Sequence, residues 1–464
     1  MNLRTSAAVI AGKAAAAASR LLGRGGGTAI AGLIAERIDP GIVRGLAAQA
    51  GQGAIAVTGT NGKTTTSLML NRIAHEAGLS PLHNRSGSNL MRGVAAMLVE
   101  DASIAGEIPE AARRFAILEV DEATLPEIAR SVPLRAAVFT NLFRDQLDRY
   151  GEVDTVARSW QRALGAAPEE MTCVLNADDP AVAHLGRNAH GRVLYYGVDD
   201  VAAGGPAVEH ASDFRTCLQC GAELRYDVTF YGHIGHWRCD ACGNQRPRPD
   251  ISVTQVTLGE DTTALAISFP DGGLKVALPL SGLYNAYNAL AAAAGAFALG
   301  LPRDAIVRAL EGFEAAFGRQ ERFSIEGRDV RVLLGKNPTG LNQVLHSIAA
   351  QPGRKRILFF LNDGIADGRD VSWIWDADYE TIQPRTEWTL AAGTRAEELA
   401  LRLKYAGFGD DVPVERDTSA AVRRALDATP AGGTVYVVPT YTAMLEVRDL
   451  LAQKAGARRF WERA

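Results

Sequence analysis

The hydrophobic positions of this chain fall into two rhythms. Short apolar runs, "AIAVTG", "FAILEVD", "AAVFTNL", "TCVLNADDP" and "RVLYYG", have the length of buried strands. Between them, apolar residues recur at helical spacing: over 64–77, after Pro126, and again from Val153. Such alternation predicts a mostly parallel sheet with helices on its faces. Further along, "SVTQVTL", "TALAISF" and "LKVALPL" alternate residue by residue, as antiparallel strands do. An alanine-rich helix follows over about 284–299, and another starts at Arg303. Near Gly327 the pattern restarts, with "RILFFLND", "EWTLAAG" and "TVYVVPTY" as buried strands of a second, smaller α/β unit. Residues 1–50 read as helices with a glycine-rich break at Gly23–Gly27. Residues 205–250 interrupt the rhythm with Cys, Gly and Pro and read as an insertion. The expected division is 1–50 helical, 51–324 central α/β with 205–250 inserted, and 325–464 C-terminal α/β.

Composition changes this picture little. A chain of 464 residues has room for about three domains of roughly 150 residues each. It is 47% hydrophobic and 22% charged, as soluble globular proteins are. A net charge of −4 offers no basic field for wrapping nucleic acid. The stretch Ala7–Leu22 has the look of a signal peptide, but Lys13 and Arg20 interrupt it, so a helix is expected. Ala289–Leu299 is shorter than the ~20 residues a bilayer span needs. The expectation is a cytoplasmic protein with at most peripheral membrane contact.

Chemistry enters with "AIAVTGTNGKTTTSLML" (54–70). A strand, a glycine-rich turn and a helix opening on Lys-Thr form a phosphate cradle, because backbone N–H groups and the helix N-terminus face the anion. Gly59, Thr60, Asn61, Gly62, Lys63, Thr64 and Thr65 are the candidate triphosphate site. Lys63 would reach the β/γ-phosphates and the Thr64 hydroxyl would hold Mg²⁺. The strict pattern is not met: Val57 stands where its first glycine belongs, and Gly59 supplies the turn.

Four of the five cysteines, Cys217, Cys220, Cys239 and Cys242, form C-x₂-C-x₁₈-C-x₂-C. That spacing suits a Cys₄ zinc ribbon, and four thiolates leave no open position, so the expected Zn²⁺ is structural. Disulfides are the alternative, disfavoured in a cytoplasmic enzyme. His233 and His236, between the pairs, are expected to be surface or packing residues. Cys173, in an apolar strand, is expected to be a small core residue.

"GTNGKTTT" resembles the phosphate loop of the Mur ligase family. "TNLFRDQLDRYGE" (140–152), "NADDP" (176–180), "SGLYNAYNALAAAA" (281–294) and "FGRQERF" (317–323) are similar to further segments of that family, in the same order. The resemblance implies an ATP-binding central domain. In it Asn141, Asn176, Asp179 and Asn285 line the nucleotide site, Arg319 contacts phosphate, and Glu119 binds Mg²⁺. Asp121 and Glu122 are neighbours that could take the role of Glu119.

Three departures separate the chain from the amino-acid-adding ligases of that family. Gln146 replaces a histidine. No lysine occurs between Lys63 and Lys275, and Trp160 lies near the place of the carbamylated lysine many members carry. The C-terminal segment reads "GKNPTGLNQ" (335–343). With the Cys₄ ribbon and "NDGIADGRDVSWIWD", these features resemble the branch that serves as the ATP-using subunit of lipid II isoglutaminyl synthase. That resemblance implies ATP-dependent amidation of a D-isoglutamyl α-carboxyl on lipid II through an acyl phosphate. It also implies ammonia supplied by a GatD-like glutamine amidotransferase in a heterodimer. An aspartate of 363–378 would then complete the partner's Cys–His pair: Asp370 first, then Asp367, then Asp376. Trp373 and Trp375 are either interface anchors or core packing. The alternatives are a stand-alone amino-acid- or glutamate-adding ligase, a zinc-ribbon nucleic-acid binder, and a scaffold without catalysis. The missing lysine speaks against the first and the acidic balance against the second. The intact Lys63, Thr64 and Glu119 speak against the third.

Overall fold

A computed structural model describes residues 3–21, 28–84, 88–145, 153–205, 213–314 and 319–455, with the backbone alone at 28–29 and 319–320. Two open sheets carry the chain. The strands of the first are β1 (Ala54–Thr58), β2 (Ser80–His83), β3 (Arg114–Glu119), β4 (Leu134–Phe139), β5 (Thr172–Asn176) and β6 (Val193–Val198). A separate hairpin, β7 (Arg225–Tyr231) and β8 (Ile234–Arg238), interrupts them before β9 (Ile251–Leu258), β10 (Thr263–Phe269) and β11 (Gly272–Leu278) complete the sheet. Their spatial order is β11-β10-β9-β6-β5-β4-β1-β3-β2. Pairing is parallel from β2 through to β9 and antiparallel between β9, β10 and β11, as the two hydrophobic rhythms predict.

Period-two alternation decides the packing. Ile55 and Val57 of β1 face one core cluster with Met69, Leu70 and Ile73 of the helix Lys63–Glu76. Ala54 and Ala56 face the other, with Val94, Leu98 and Trp160. The alanine abundance has its reason in the helix Leu283–Ala298, where alanines at 289 and 291–294 are buried. Small side chains let this helix lie close on the sheet; a Cβ at Gly295 would stand 3.0 Å from Val138.

The second sheet contains β12 (Arg319–Ile325), β13 (Arg328–Leu333), β14 (Lys355–Phe360), β15 (Thr386–Ala392), β16 (Val414–Glu415) and β17 (Thr434–Val438). Their order is β12-β13-β17-β14-β15-β16, parallel except for the β12–β13 hairpin. It therefore begins at Arg319, ahead of the expected boundary at 325, and Gly327 lies in the hairpin's turn. Both residues of that turn adopt left-handed backbone, Glu326 at φ 52° and Gly327 at φ 74°, a local signal that alternation of apolar residues does not carry. The N-terminal region holds the helices Leu3–Leu21, Thr28–Ile38 and Ile42–Ala47. The glycine-rich break at 23–27 lies outside the described residues. Among those described, no helix is long and apolar enough to cross a membrane.

Candidate functional site

The carboxyl ends of three adjacent strands, β4, β1 and β3, converge on one point, where open α/β sheets bind ligands. After β1 comes the loop Gly59–Gly62 and then the helix that opens at Lys63. Gly59 and Gly62 have φ of 131° and 87°. Each also faces a wall: a Cβ at Gly59 would stand 2.1 Å from Thr140 Oγ1, and one at Gly62 the same distance from Asn288 Oδ1. Only glycine fits both the conformation and the space.

After β4, Asn141 holds the loop from outside. Its Oδ1 accepts the Asn61 N–H at 2.8 Å, its Nδ2 donates to Asn61 O at 3.1 Å, and its own carbonyl accepts the Thr60 N–H at 2.9 Å. β3 ends on Glu119, whose Oε1 accepts from Thr64 Oγ1 at 3.0 Å. Asn84, fully buried, clamps Glu119 by accepting from its N–H and donating to its carbonyl, both at 2.8 Å. The Lys63 ammonium is buried: Glu122 Oε2 lies 2.9 Å away, and the carbonyls of Gly59 and Thr60 also accept from it. A buried ammonium has to be paired and hydrogen-bonded in this way.

These groups line a cavity of about 440 Å³. Thr60 to Thr65, Glu119, Asp121, Glu122, Asn141 and Asn285 form one side. Lys336, Thr339, Gly340 and Gln343 face them from the second sheet's helix Pro338–Ala350 and the loop before it. Asn337 caps that helix by accepting from Gly340 N–H at 2.8 Å, and its Nδ2 donates to Asn61 Oδ1 at 3.0 Å. Lys336 pairs with Asp145. The "GKNPTG" segment thus closes directly on the phosphate loop.

Two expected lining residues stand elsewhere. Asn176 and Asp179 are fully buried behind the site, outside the cavity wall. Asn176 Nδ2 donates to Thr140 O at 2.9 Å, and Asp179 Oδ2 accepts from Leu142 N–H at 2.8 Å. They hold the 140–142 segment that holds the loop. Trp160 is fully buried and donates through Nε1 to Glu122 O at 2.8 Å, so it is a buried strut behind the Glu122 backbone. Gln146 and the Arg319 side chain lie outside the described residues.

The three candidate aspartates differ sharply. Asp370 is exposed and accepts from Ser372 N–H at 2.9 Å; the Ser372 side chain and N–H hold its carboxyl below the usual range. Asp367 is buried, accepts from Thr442 N–H at 2.9 Å and from its hydroxyl, and burial raises its carboxyl. Asp376 lies 3.6 Å from Arg144. Trp375 is 48% exposed, edge-on to Tyr405, while Trp373 packs against the core.

The cysteines at 217, 220, 239 and 242 lie with all Sγ atoms within 4.8 Å of one another. Cys217–Cys242 and Cys220–Cys239 are 3.7 and 3.5 Å apart. Zn–S bonds of about 2.3 Å in a tetrahedron require edges of about 3.8 Å, whereas a disulfide needs about 2 Å. Burial pushes the Cys217 thiol up, but the Gln219 N–H and Asn244 amide outweigh it and bring it to about 6. The set suits Zn²⁺. Cys173 is buried in the core, and burial pushes its thiol up to about 12. Of the two readings of His233, packing holds: it is fully buried, against Phe143 and Phe214 and 3.5 Å from Asp179.

Sequence reasoning missed Asn84 and Tyr231, which reach the site from distant elements and carry no local motif, and it missed Lys336 although that residue lies inside the quoted "GKNPTGLNQ" segment. Asn288 lies inside a quoted motif, and its spacing of three from Asn285 was the available signal.

Comparison with known proteins gives the family and the fold. The Mur ligase middle domain matches residues 57–296, and the MurT ligase C-terminal domain matches 334–444. The MurT subunit of lipid II isoglutaminyl synthase (glutamine-hydrolyzing) from Staphylococcus aureus (strain COL) is 33% identical over 97% of this chain and 98% of its own. The one from Streptococcus pneumoniae is 33% identical over 99% of each. In fold, a pseudomurein peptide ligase type C from Methanothermus fervidus aligns with a TM-score of 0.64 at 23% identity, covering 87% of this chain and 78% of its own. MurF from Acinetobacter baumannii aligns equally at 19%, covering 88% and 80%. The chain belongs to the Mur ligase family of ligases and, within it, to the MurT branch.

Proposed function

We propose that this chain is the ATP-using subunit of a lipid II isoglutaminyl synthase. It activates the α-carboxyl of the D-isoglutamyl residue in the stem peptide, and ammonia from a partner glutaminase converts that carboxyl to an amide. The carrying observation is the cavity itself. A phosphate cradle with a buried lysine faces the altered "GKNPTG" segment, and the chain carries no lysine between Lys63 and Lys275 that could take the part of the carbamylated lysine the family resemblance implies.

The chemistry follows from charge. The loop N–H groups and Lys63 hold the β- and γ-phosphates, and the Lys63–Glu122 contact gives way to the incoming anion. Thr64 and Glu119 offer hard oxygen donors 3.0 Å apart, which suits Mg²⁺. When bound, the ion neutralises charge on the transferring phosphoryl group. A substrate carboxylate oxygen bonds to the γ-phosphorus and ADP leaves. Ammonia nitrogen then bonds to the acyl carbon, phosphate leaves and a proton is lost from nitrogen. Ammonia needs no second amino-acid pocket. Asn141 and Asn285 stay as nucleotide contacts in this reading; Asn176 and Asp179 act behind them. Asp370, exposed and ionised, is the group that orients the partner's catalytic histidine.

The test is product mass with a lipid II-like acceptor and ATP. Ammonium alone, or glutamine with the partner glutaminase, should replace OH by NH₂. A product heavier by an amino-acid residue, made without a partner, would overturn the reading.

A further inference from the structure

The inserted hairpin β7–β8 reaches from the cysteine cluster to the back of the phosphate loop. Its tip is Tyr231–Gly232–His233, and Tyr231 itself lines the cavity. The tip packs on Phe143: the His233 ring lies 4.3 Å from the Phe143 ring, and Tyr231 stacks at 6.1 Å. Phe143 is bound to the loop by two hydrogen bonds. Thr60 Oγ1 donates to its carbonyl at 3.0 Å and accepts from its N–H at 2.9 Å. His233 also stands 3.5 Å from Asp179, the carboxylate that accepts from Leu142 N–H.

Lower down, the same hairpin grips the loop after β5. Gly235 N–H donates to Asp178 O at 2.9 Å and Trp237 Nε1 to Ala177 O at 3.0 Å. Two residues beyond Trp237 the chain reaches Cys239, and Trp237, Cys217 and Cys239 share one small core. The tip has no slack. Gly232 has φ 56°, and a Cβ there would stand 2.8 Å from the Phe143 ring.

We infer that the four-cysteine insertion is a brace for the nucleotide site. With metal on its thiolates, the base of the hairpin is fixed, its tip bears on Phe143 and Asp179, and the phosphate loop is held at its working position. Without metal the base loosens, the tip withdraws, and nucleotide binds more weakly. Tyr231, Gly232 and His233 are positioning residues for the loop. This rests on the reading of the cavity as a nucleotide site.

The test measures affinity for a non-hydrolysable ATP analogue by calorimetry on the full chain, with metal content read by mass spectrometry and fold by circular dichroism. Chelator-stripped protein is compared with the loaded form, and Gly232→Ala with both. Stripping should raise Kd roughly tenfold, in line with the cost of misplacing a binding group by a fraction of an ångström to an ångström, and added Zn²⁺ should restore it. Gly232→Ala should keep its metal and its fold yet bind as weakly as the stripped form. Stripped, folded protein that binds as tightly as the loaded form overturns the brace. If stripping unfolds the chain, Gly232→Ala decides: an unchanged Kd overturns it. Lys63→Ala is the control for the site: if it binds as tightly as native protein, or native protein binds nothing, the nucleotide reading falls and the brace with it.

Discussion

Asp367 and Asp370 sit three positions apart and have opposite surroundings. Asp370 interacts with the Ser372 side chain and N–H and is exposed. Asp370→Asn should therefore leave stability within about 0.5 kcal/mol of native. It should abolish amidation with glutamine and keep amidation with ammonium, as product mass would show. Equal loss with both nitrogen sources would overturn the proposed role of Asp370 in completing a partner's triad. Asp367 instead ties Gly364 and Thr442 together. Asp367→Ala leaves the Thr442 donors without that acceptor and should cost about 2 kcal/mol in urea denaturation, with both nitrogen sources affected alike. A third residue gives a pH signature. Burial lowers the His83 imidazole to about 4, and its Nε2 has no hydrogen-bond partner. Between pH 6.5 and 4 the unfolded chain binds a proton that the folded chain refuses. The stability His83 allows is whole above 6.5 and shrinks as pH falls towards 4, by on the order of 3 kcal/mol. His83→Leu should flatten unfolding free energy over that window; an unchanged slope would assign the acid sensitivity to other groups.

At the scale of elements, what was legible in the chain was what is local. The phosphate loop is one strand, one turn and one helix start, so its glycines and Lys63 declare themselves within ten residues. The cysteine spacing is equally local. What was not legible depends on register between distant segments. Asn84 finds Glu119 because β2 pairs with β3. Asn176 and Asp179 fall behind the site because β5 and the turn after it bury their side chains against 140–142. No periodicity distinguishes a residue in a cavity wall from one a layer deeper. The loop itself yields a prediction. Gly62→Ala forces left-handed backbone on alanine, at about 1 kcal/mol, and drives a methyl into Asn288 Oδ1. The helix start must shift, so nucleotide binding by calorimetry should be lost while thermal unfolding moves only a few degrees. Retained affinity would mean the loop tolerates a different path.

At the scale of the molecule, the two sheets face each other across the cavity, held by contacts of two kinds. On the rear side, Arg331 meets Glu260 at 3.5 Å and Asp261 at 3.2 Å, and Arg322 meets Asp261 at 3.7 Å. Those carboxylates are 59% exposed. Each such pair is worth at most about 1 kcal/mol and is screened by salt. On the cavity side, Lys336 meets Asp145, with Asp145 only 10% exposed, and Asn337 meets Asn61 of the phosphate loop. Removing the lysine leaves a largely buried carboxylate without this cation, a loss of about 1–3 kcal/mol borne by the contact that closes the cavity. Lys336→Met should therefore open the molecule, raising its radius of gyration by X-ray scattering, and raise KM for ATP because the far wall retreats. Asp261→Asn, at the rear, should change neither, and added salt should open the native molecule little. If the rear variant opens the molecule and Lys336→Met does not, closure is governed by the exposed ion pairs. Ionic strength, not the fit of the "GKNPTG" segment to the phosphate loop, would then set how the cavity meets its nucleotide.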